Sequence, residues 1–574
     1  MFRILVRSAG CALVLLTLRF AGAQPADLII RNGKIVTLEP DKPVVQALAA
    51  RAGKIIALGN NQDLHSYIGP TTKIIDLNGR LAVPGLIEGH GHFTALGASK
   101  MELNLRDAKN WDEIVQMVAA AAREAKPGSW ILGRGFHQAK WDKPPWPNVL
   151  GFPVHQSLSK VSTRNPVWLT HASGHAAFAN AEALRLAGIS KTTPDPPGGQ
   201  ILRDAQGNPT GLLNEKAQEL VERALASYRS KLSPSELDAE ARKQVELAQR
   251  ECLSKGITTF EDAGSPMPTI DLLKSIAEQG KLDLRLWVML RQPNAAIEPN
   301  LKKYHFVGIA DQHLTVRAIK RQIDGALGSR GALLLEPYSD LGPGAPDRSG
   351  LYTEDLADIR KTAELAIANG FQLCIHAIGD RANREVLDLY ESVFKEHPEK
   401  NGKTLRWRIE HAQHLNPADI PRFASLGVIA AMQGVHATSD GPFVITRLGF
   451  KRAQEGAYVW QKLMKSGAIV GNGTDTPVED VAPLACFYAS VTRKLKDGSL
   501  FFQDQRMSRM EALKSYTWNN AYAAFEEGLK GSLKVGKLAD VTVLSKDILT
   551  IPDDEIPSAK VDYTIIGGKV MYER

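Results

Sequence analysis

Four cysteines in 574 residues are too few and too scattered for a disulfide framework. Cys252, Cys374 and Cys486 each lie in apolar or helical surroundings, so buried thiols are their expected state. A block of basic residues with interleaved aromatics is also missing. The 70 Lys and Arg and 63 Asp and Glu are spread along the chain, and a nucleic-acid-binding face is excluded. No apolar run reaches the ~20 residues of a bilayer span, since the stretch from Cys11 to Leu18 stops at Arg19. Internal repeats and low-complexity segments are absent too.

The first 23 residues have a basic start (Arg3, Arg7), that short apolar run, and Ala21-Gly22-Ala23 at the end. This is the pattern of a cleaved signal peptide, and it predicts a periplasmic or secreted protein beginning at Gln24. Cys11 lies inside the run rather than after it, unlike a lipoprotein cysteine. Cleavage removes Arg3, Arg7 and Arg19 and no acid, lowering the formal charge from +7 to about +4.

The length allows a large core and more than one domain. Short alternating strands are predicted at 28–30, 34–37, 54–57 and 73–76, with turns at Asn32-Gly33 and Asn78-Gly79. The C-terminus resumes that style with a strand at 540–544 and a hairpin at 563–570. Between these ends strands alternate with helices, one of them running from a Ser233 cap to a Gly256 stop. The expected class is α/β, with a β-sandwich built from residues 24–83 and 528–574 around a central unit at 84–527. Residues from about 101 to 220, with Trp130, Trp141, Trp146 and Trp168 and the Pro/Gly-rich stretch 193–199, read as an insertion after the first strand of that unit.

The most informative stretch is Pro84-Gly85-Leu86-Ile87-Glu88-Gly89-His90-Gly91-His92. Successive side chains of a strand point to opposite faces, so His90 and His92 share one. Two neutral imidazoles at a strand end make half of a site for Zn²⁺ or a similar ion; the alternative is a polar turn. Downstream, Phe371–His376, Arg406–His411 and Ala468–Asp475 each run as an apolar segment into a ligand-type residue and then a loop. That is the arrangement of a (β/α)₈ barrel, where chemistry collects at the C-terminal ends of the strands.

With these motifs the chain resembles the amidohydrolase superfamily, in its branch of YtcJ-like proteins and N-substituted formamide deformylases. The resemblance is carried by PGLIEGHGH (84–92), NPVWLTHASGHAAFANAEAL (165–184), IKRQIDGALGSR (319–330), CIHAIGDRAN (374–383), RIEHAQ (408–413), GNGTDTPVE (471–479) and GSLKVGKLADVTVL (531–544). Glu88-Gly89 departs from the family's usual Asp and small residue. The resemblance implies one or two divalent metals, most simply Zn²⁺, on His90, His92, His376 and His411. It also implies a carboxylated lysine as bridging anion, and Lys320 is the candidate because it ends a strand-like segment whose Val316 and Ala318 share its parity. A snorkelling surface lysine is the other reading of Lys320, and Glu215 and Glu261 are rival bridging carboxylates.

Asp475 is then the base that takes a proton from a metal-activated water and returns it to the leaving nitrogen; a helix-capping aspartate is its alternative. His175, Gln433, His436 and Arg330 are substrate-binding candidates, Arg330 having a structural ion pair as its other reading. Asp440 is a further pocket-lining candidate, and His414 is placed behind the metal ligands. His137 and Trp141 read as core of the insertion rather than as a lid. The expected activity is metal-dependent hydrolysis of a C–N bond in a small amide, giving an acid and an amine. Ester, lactone or carbamate hydrolysis on the same site is the alternative, and so is a non-catalytic regulator on this scaffold. The expected partners are a small-molecule substrate and, as an open possibility, further copies of the chain.

Overall fold

A computed structural model describes residues 24–138, 141–171, 176–196, 199–328, 330–341 and 349–574. The expected signal peptide and His175 lie outside them.

Eight parallel strands form the centre: β1 (Leu86–Gly91), β2 (Ile257–Ser265), β3 (Arg285–Leu290), β4 (Leu314–Gln322), β5 (Gln372–Ala377), β6 (Arg408–His411), β7 (Ile429–Gln433) and β8 (Val470–Gly473). Each pairs with the next in chain order. All six residues of β3 are buried, as expected of a strand covered on both faces. The helix Asp380–Glu396 turns Ala382, Val386, Leu387, Tyr390 and Val393 inward at helical spacing, which fixes its seat on the barrel. The helix Pro234–Ser254 starts with a capping box of Ser233 and Glu236 and with proline in its first turn.

The barrel is nearly closed. β1 and β8 share no continuous ladder, and their upper ends meet through Asp475 N–H to His90 O (2.8 Å) and His92 N–H to Thr476 O (2.7 Å). Both chain ends build a flanking sandwich. Leu81–Pro84 pairs antiparallel with Val541–Leu544 inside one six-stranded sheet. A four-stranded sheet of Leu28–Arg31, Ala47–Arg51, Lys54–Gly59 and Lys73–Asp76 packs on it through Ile30, Leu48, Val541 and Ile565. Between β1 and β2 the chain forms another six-stranded sheet, from Leu103–Asn104 to Pro209–Glu215, with its own apolar core around Trp111, Phe136 and Phe178. Cys252, Cys374 and Cys486 are buried free thiols.

Candidate metal centre

The histidine-bearing strand ends converge at the C-terminal mouth of the barrel. His90 is the next-to-last residue of β1, and its Nδ1 is bonded to Glu410 Oε2 on β6. Arg408 fixes that carboxylate from the other side, donating from Nε to Glu410 Oε1 (2.6 Å) and from Nη2 to Gly89 O (2.8 Å), and it also pairs with Glu261. The network leaves His90 Nε2 directed at Asp475 Oδ1, 3.6 Å away. His92, one residue beyond β1, brings Nε2 to 3.2 Å from the same oxygen.

His411 is held through Nδ1 by Gln433 Oε1 (2.8 Å). Its ring lies 4.6 Å from that of His90 and 4.3 Å from that of His376, centroid to centroid. His436, on the helix Gly434–Leu448, places Nε2 4.0 Å from Asp475 Oδ2. Two triplets of ligand atoms therefore cluster within 4.8 Å, His90/His92/Asp475 and His411/His436/Asp475, with Asp475 common to both.

The donor set fits a divalent cation. His90 Nε2, His376 Nε2 and Asp475 Oδ1 are buried without a hydrogen-bond partner, a costly state unless another ligand satisfies them. Burial pushes His90 down to about 4 and His376 and His411 well below the usual imidazole range, so all three are neutral, the form that binds metal. Burial alone would raise Asp475, but the imidazoles of His92, His90 and His411 outweigh it and hold the carboxyl ionised. His411 (φ 75°) and Asp475 (φ 57°) both occupy the left-handed region. Such conformations cost energy for residues other than glycine and gather where side-chain placement matters.

Lys320 lies in the interior, 2% exposed, with Nζ 3.4 Å from Ala263 O. Burial lowers its pKa, with Arg291 adding to the effect, and its charge in turn acts on His90, His376 and His411. The snorkelling reading is thereby removed. Glu261 is tied to Arg408 rather than directed at the histidines. Glu215 ends the strand Pro209–Glu215 of the additional sheet, and its side chain is outside the described part.

Two substrate-binding expectations are refined, and the capping alternative for Asp475 is removed. Gln433 has Oε1 on His411 and Nε2 on Ala431 O, so it orients a histidine. Arg330 pairs with Asp340 (2.8 Å), which Arg447 also holds, so its structural reading stands. Asp475 caps no helix, since the next one, Pro483–Thr492, begins after Ala482. Asp440 accepts from Tyr458 OH (2.6 Å) and is influenced by His436. His414 is fully buried, with its ring 5.4 Å from that of Tyr458. Trp141 packs between Phe136 and Trp111 in the core of the additional sheet, and the His137 ring lies 4.7 Å from that of His171.

Asp324, inside the motif at 319–330 but not singled out in the sequence, is a further member. Its carboxylate accepts from the amides of Leu333, Ile378 and Gly379 and stands 3.5 Å from His376 Nε2. Burial raises it to about 7. The available signal was an Asp-Gly pair two residues past the end of a strand.

Comparison with known proteins agrees with this geometry. The sequence profile described as "Amidohydrolase family" matches residues 73–572. Over 560 residues the chain is 35% identical to Protein LONG AFTER FAR-RED 3 of Arabidopsis thaliana, covering 95% of this chain and 92% of that one. It is 30% identical to the putative amidohydrolase YtcJ of Bacillus subtilis (95% and 99% covered) and 27% identical to N-substituted formamide deformylase of Arthrobacter pascens (96% and 99%). The crystal structure of an uncharacterized metal-dependent hydrolase from Pyrococcus horikoshii superposes with a TM-score of 0.72 at 25% identity, covering 92% of this chain and 99% of that one. Fold, ligand cluster and sequence converge: the chain belongs to the amidohydrolase family.

Proposed function

We propose that this protein is a metal-dependent amidohydrolase that cleaves a C–N bond of a small amide. The observation that carries the reading is the Asp475 carboxylate, ionised and set between His92, His90 and His436 at the barrel mouth. His90, His92, Lys320, His376 and His411 would hold one or two divalent ions, with Zn²⁺ the natural choice for this donor set. Such an ion lowers the pKa of water towards neutrality and polarises a scissile carbonyl.

The chain supplies the rest. Asp475 takes the proton from the attacking water at a carboxylate oxygen and returns it to the departing nitrogen, so that the products are a carboxylic acid and an amine. Gln413 Nε2 lies 2.9 Å from His436 Nδ1, and an amide nitrogen can only donate there. With Nδ1 engaged there, His436 presents Nε2, 4.0 Å from Asp475 Oδ2, to the substrate side of the site. Lys320, buried in the interior, would supply a carboxylate to the ions once its amine had added CO₂ and released a proton.

Export is part of the proposal: residues 1–23 direct the chain out of the cytoplasm and are removed. The similarity to N-substituted formamide deformylase supports a C–N bond as the target. The test is a screen of the metal-free and Zn²⁺-loaded protein against N-substituted formamides, other N-acyl amines and aryl esters. Zinc-dependent release of amine supports the reading. Turnover of esters alone moves the activity to C–O bonds, and no turnover of any class favours a regulator.

A further inference from the structure

The joint between β1 and β8 brings His90, His92 and Asp475 together. His90 and His92 belong to one side and Asp475 to the other, yet these strands share no ladder. Below the ligands the side chain of Asn520, from the helix Trp518–Ala523, reaches both strands. Its Nδ2 donates to Ile87 O (2.9 Å) on β1 and to Asn472 O (2.8 Å) on β8, and its Oδ1 accepts from Asn472 N–H (3.2 Å). Asn520 is 2% exposed.

Both strands are shaped to admit it. A Cβ at Gly89 would stand 2.6 Å from Asn520 Nδ2, and one at Gly471 would stand 2.5 Å from Oδ1. Any larger residue at either position would collide with the amide, so two glycines of the ligand-bearing motifs are accounted for by close approach. Glu88 adds a second tie, accepting from Thr474 N–H, and a Cβ at Gly473 would stand 2.7 Å from Glu88 Oε1. The clamp is level: Ile87 lies three residues before His90, and Asn472 lies three before Asp475.

We infer that Asn520 is a positioning residue that sets the separation of β1 and β8 and so holds Asp475 against His90 and His92. This rests on the proposed function only in taking those three residues as the metal-binding and proton-transferring set. Displacements of about 1 Å in such constellations cost up to ~10²-fold in rate.

The test uses the mature protein, stripped of metal, with Zn²⁺ as the probe. Asn520→Ala removes the clamp. Asn520→Asp keeps its size but sets an oxygen against two carbonyls. Leu273→Ala, in the barrel helix Met267–Glu278, serves as a control with a comparable loss of Tm. Both Asn520 variants should bind Zn²⁺ about 10- to 100-fold more weakly, the usual effect of losing a group that orients ligands. The amides of Asp475 and His92, bonded across the joint, should exchange faster with solvent. The control should change neither. If Asn520→Ala does not fold, Asn520→Asp carries both readouts. Variants that melt earlier but keep wild-type zinc affinity and exchange at those two amides would overturn the inference. A wild-type protein that binds no zinc would instead overturn the functional reading.

Discussion

Glu410 Oε2 meets His90 Nδ1 across the barrel interior, and both side chains are closed to solvent. Arg408 neutralises the carboxylate from its other edge, so the acid stays charged although burial opposes it. A carboxylate behind a histidine fixes the tautomer and turns the free nitrogen towards the metal. Glu410→Gln should therefore weaken Zn²⁺ binding about 10- to 100-fold. It should also lower Tm, because Arg408 loses one of two buried acidic partners and an unbalanced buried charge is costly. Zinc titration of the metal-free variant checks this, and unchanged affinity would reduce Glu410 to a structural counter-ion.

Asp475→Asn separates catalysis from stability. The replacement keeps the shape and removes the base, so kcat should fall by about 10²–10⁴-fold. Because Asp475 caps no helix, the capping loss of about 1 kcal/mol is not expected, and Tm should move little. Measuring kcat and Tm on one preparation decides it. A variant that turns over normally would remove Asp475 from the proton-transfer role.

The histidines and the aspartate of the candidate site were legible because each ends an apolar segment, and strand geometry dictates where such a residue points. The role of the β8 glycines was not legible: Gly471 makes room for Asn520 and Gly473 for the backbone of His90. Parity locates a face but not what is pressed against it. The partners that orient the ligands were hidden for a related reason. Glu410 lies 320 residues from His90, and Asn520 lies 433 from Ile87, so no local pattern links them. Gln433 looked free for substrate because its sequence neighbourhood does not reveal that His411, 22 residues earlier, faces it. The sandwich was easier to foresee, since short strands recur at both ends of the chain, with Asn-Gly turns at the N-terminal end and a Gly567-Gly568 hairpin at the C-terminal end.

The proposed export makes a direct prediction. The protein recovered from the periplasm or medium should begin at Gln24, and N-terminal sequencing reads this. Recovery from the cytoplasm with Met1 intact would show that residues 1–23 are not a signal peptide.

Lys320→Ala tests the bridge. Loss of one metal equivalent and of activity, with partial rescue by a short carboxylic acid, is expected if its carbamate joins two ions. Full metal content and activity in this variant would reduce the site to one that needs no lysine, with Glu261 already committed to Arg408.

His414 gives a pH signature free of the metal. Its ring is buried, neither nitrogen has a hydrogen-bond partner, and burial pushes its pKa down to about 3. An unfolded histidine titrates near 6.5. As pH falls through 6.5 the unfolded chain takes up a proton that the folded chain refuses, so stability is lost from there down towards pH 3, at roughly 1 kcal/mol per pH unit. His90, His376 and His411 act in the same direction in the metal-free protein, whereas Glu88 and Asp324, raised to about 8 and 7, favour the folded state at lower pH. The total slope therefore mixes opposing groups, and the difference between wild type and His414→Leu isolates one of them. Leucine is apolar and similar in size to the ring it replaces. Its stability relative to wild type should rise by about 2 kcal/mol between pH 6.5 and 4.5 and stay level above pH 7. Urea unfolding of both proteins in chelator at pH 4.5, 5.5, 6.5 and 7.5 measures this. A difference independent of pH would mean that His414 takes up its proton in the folded state.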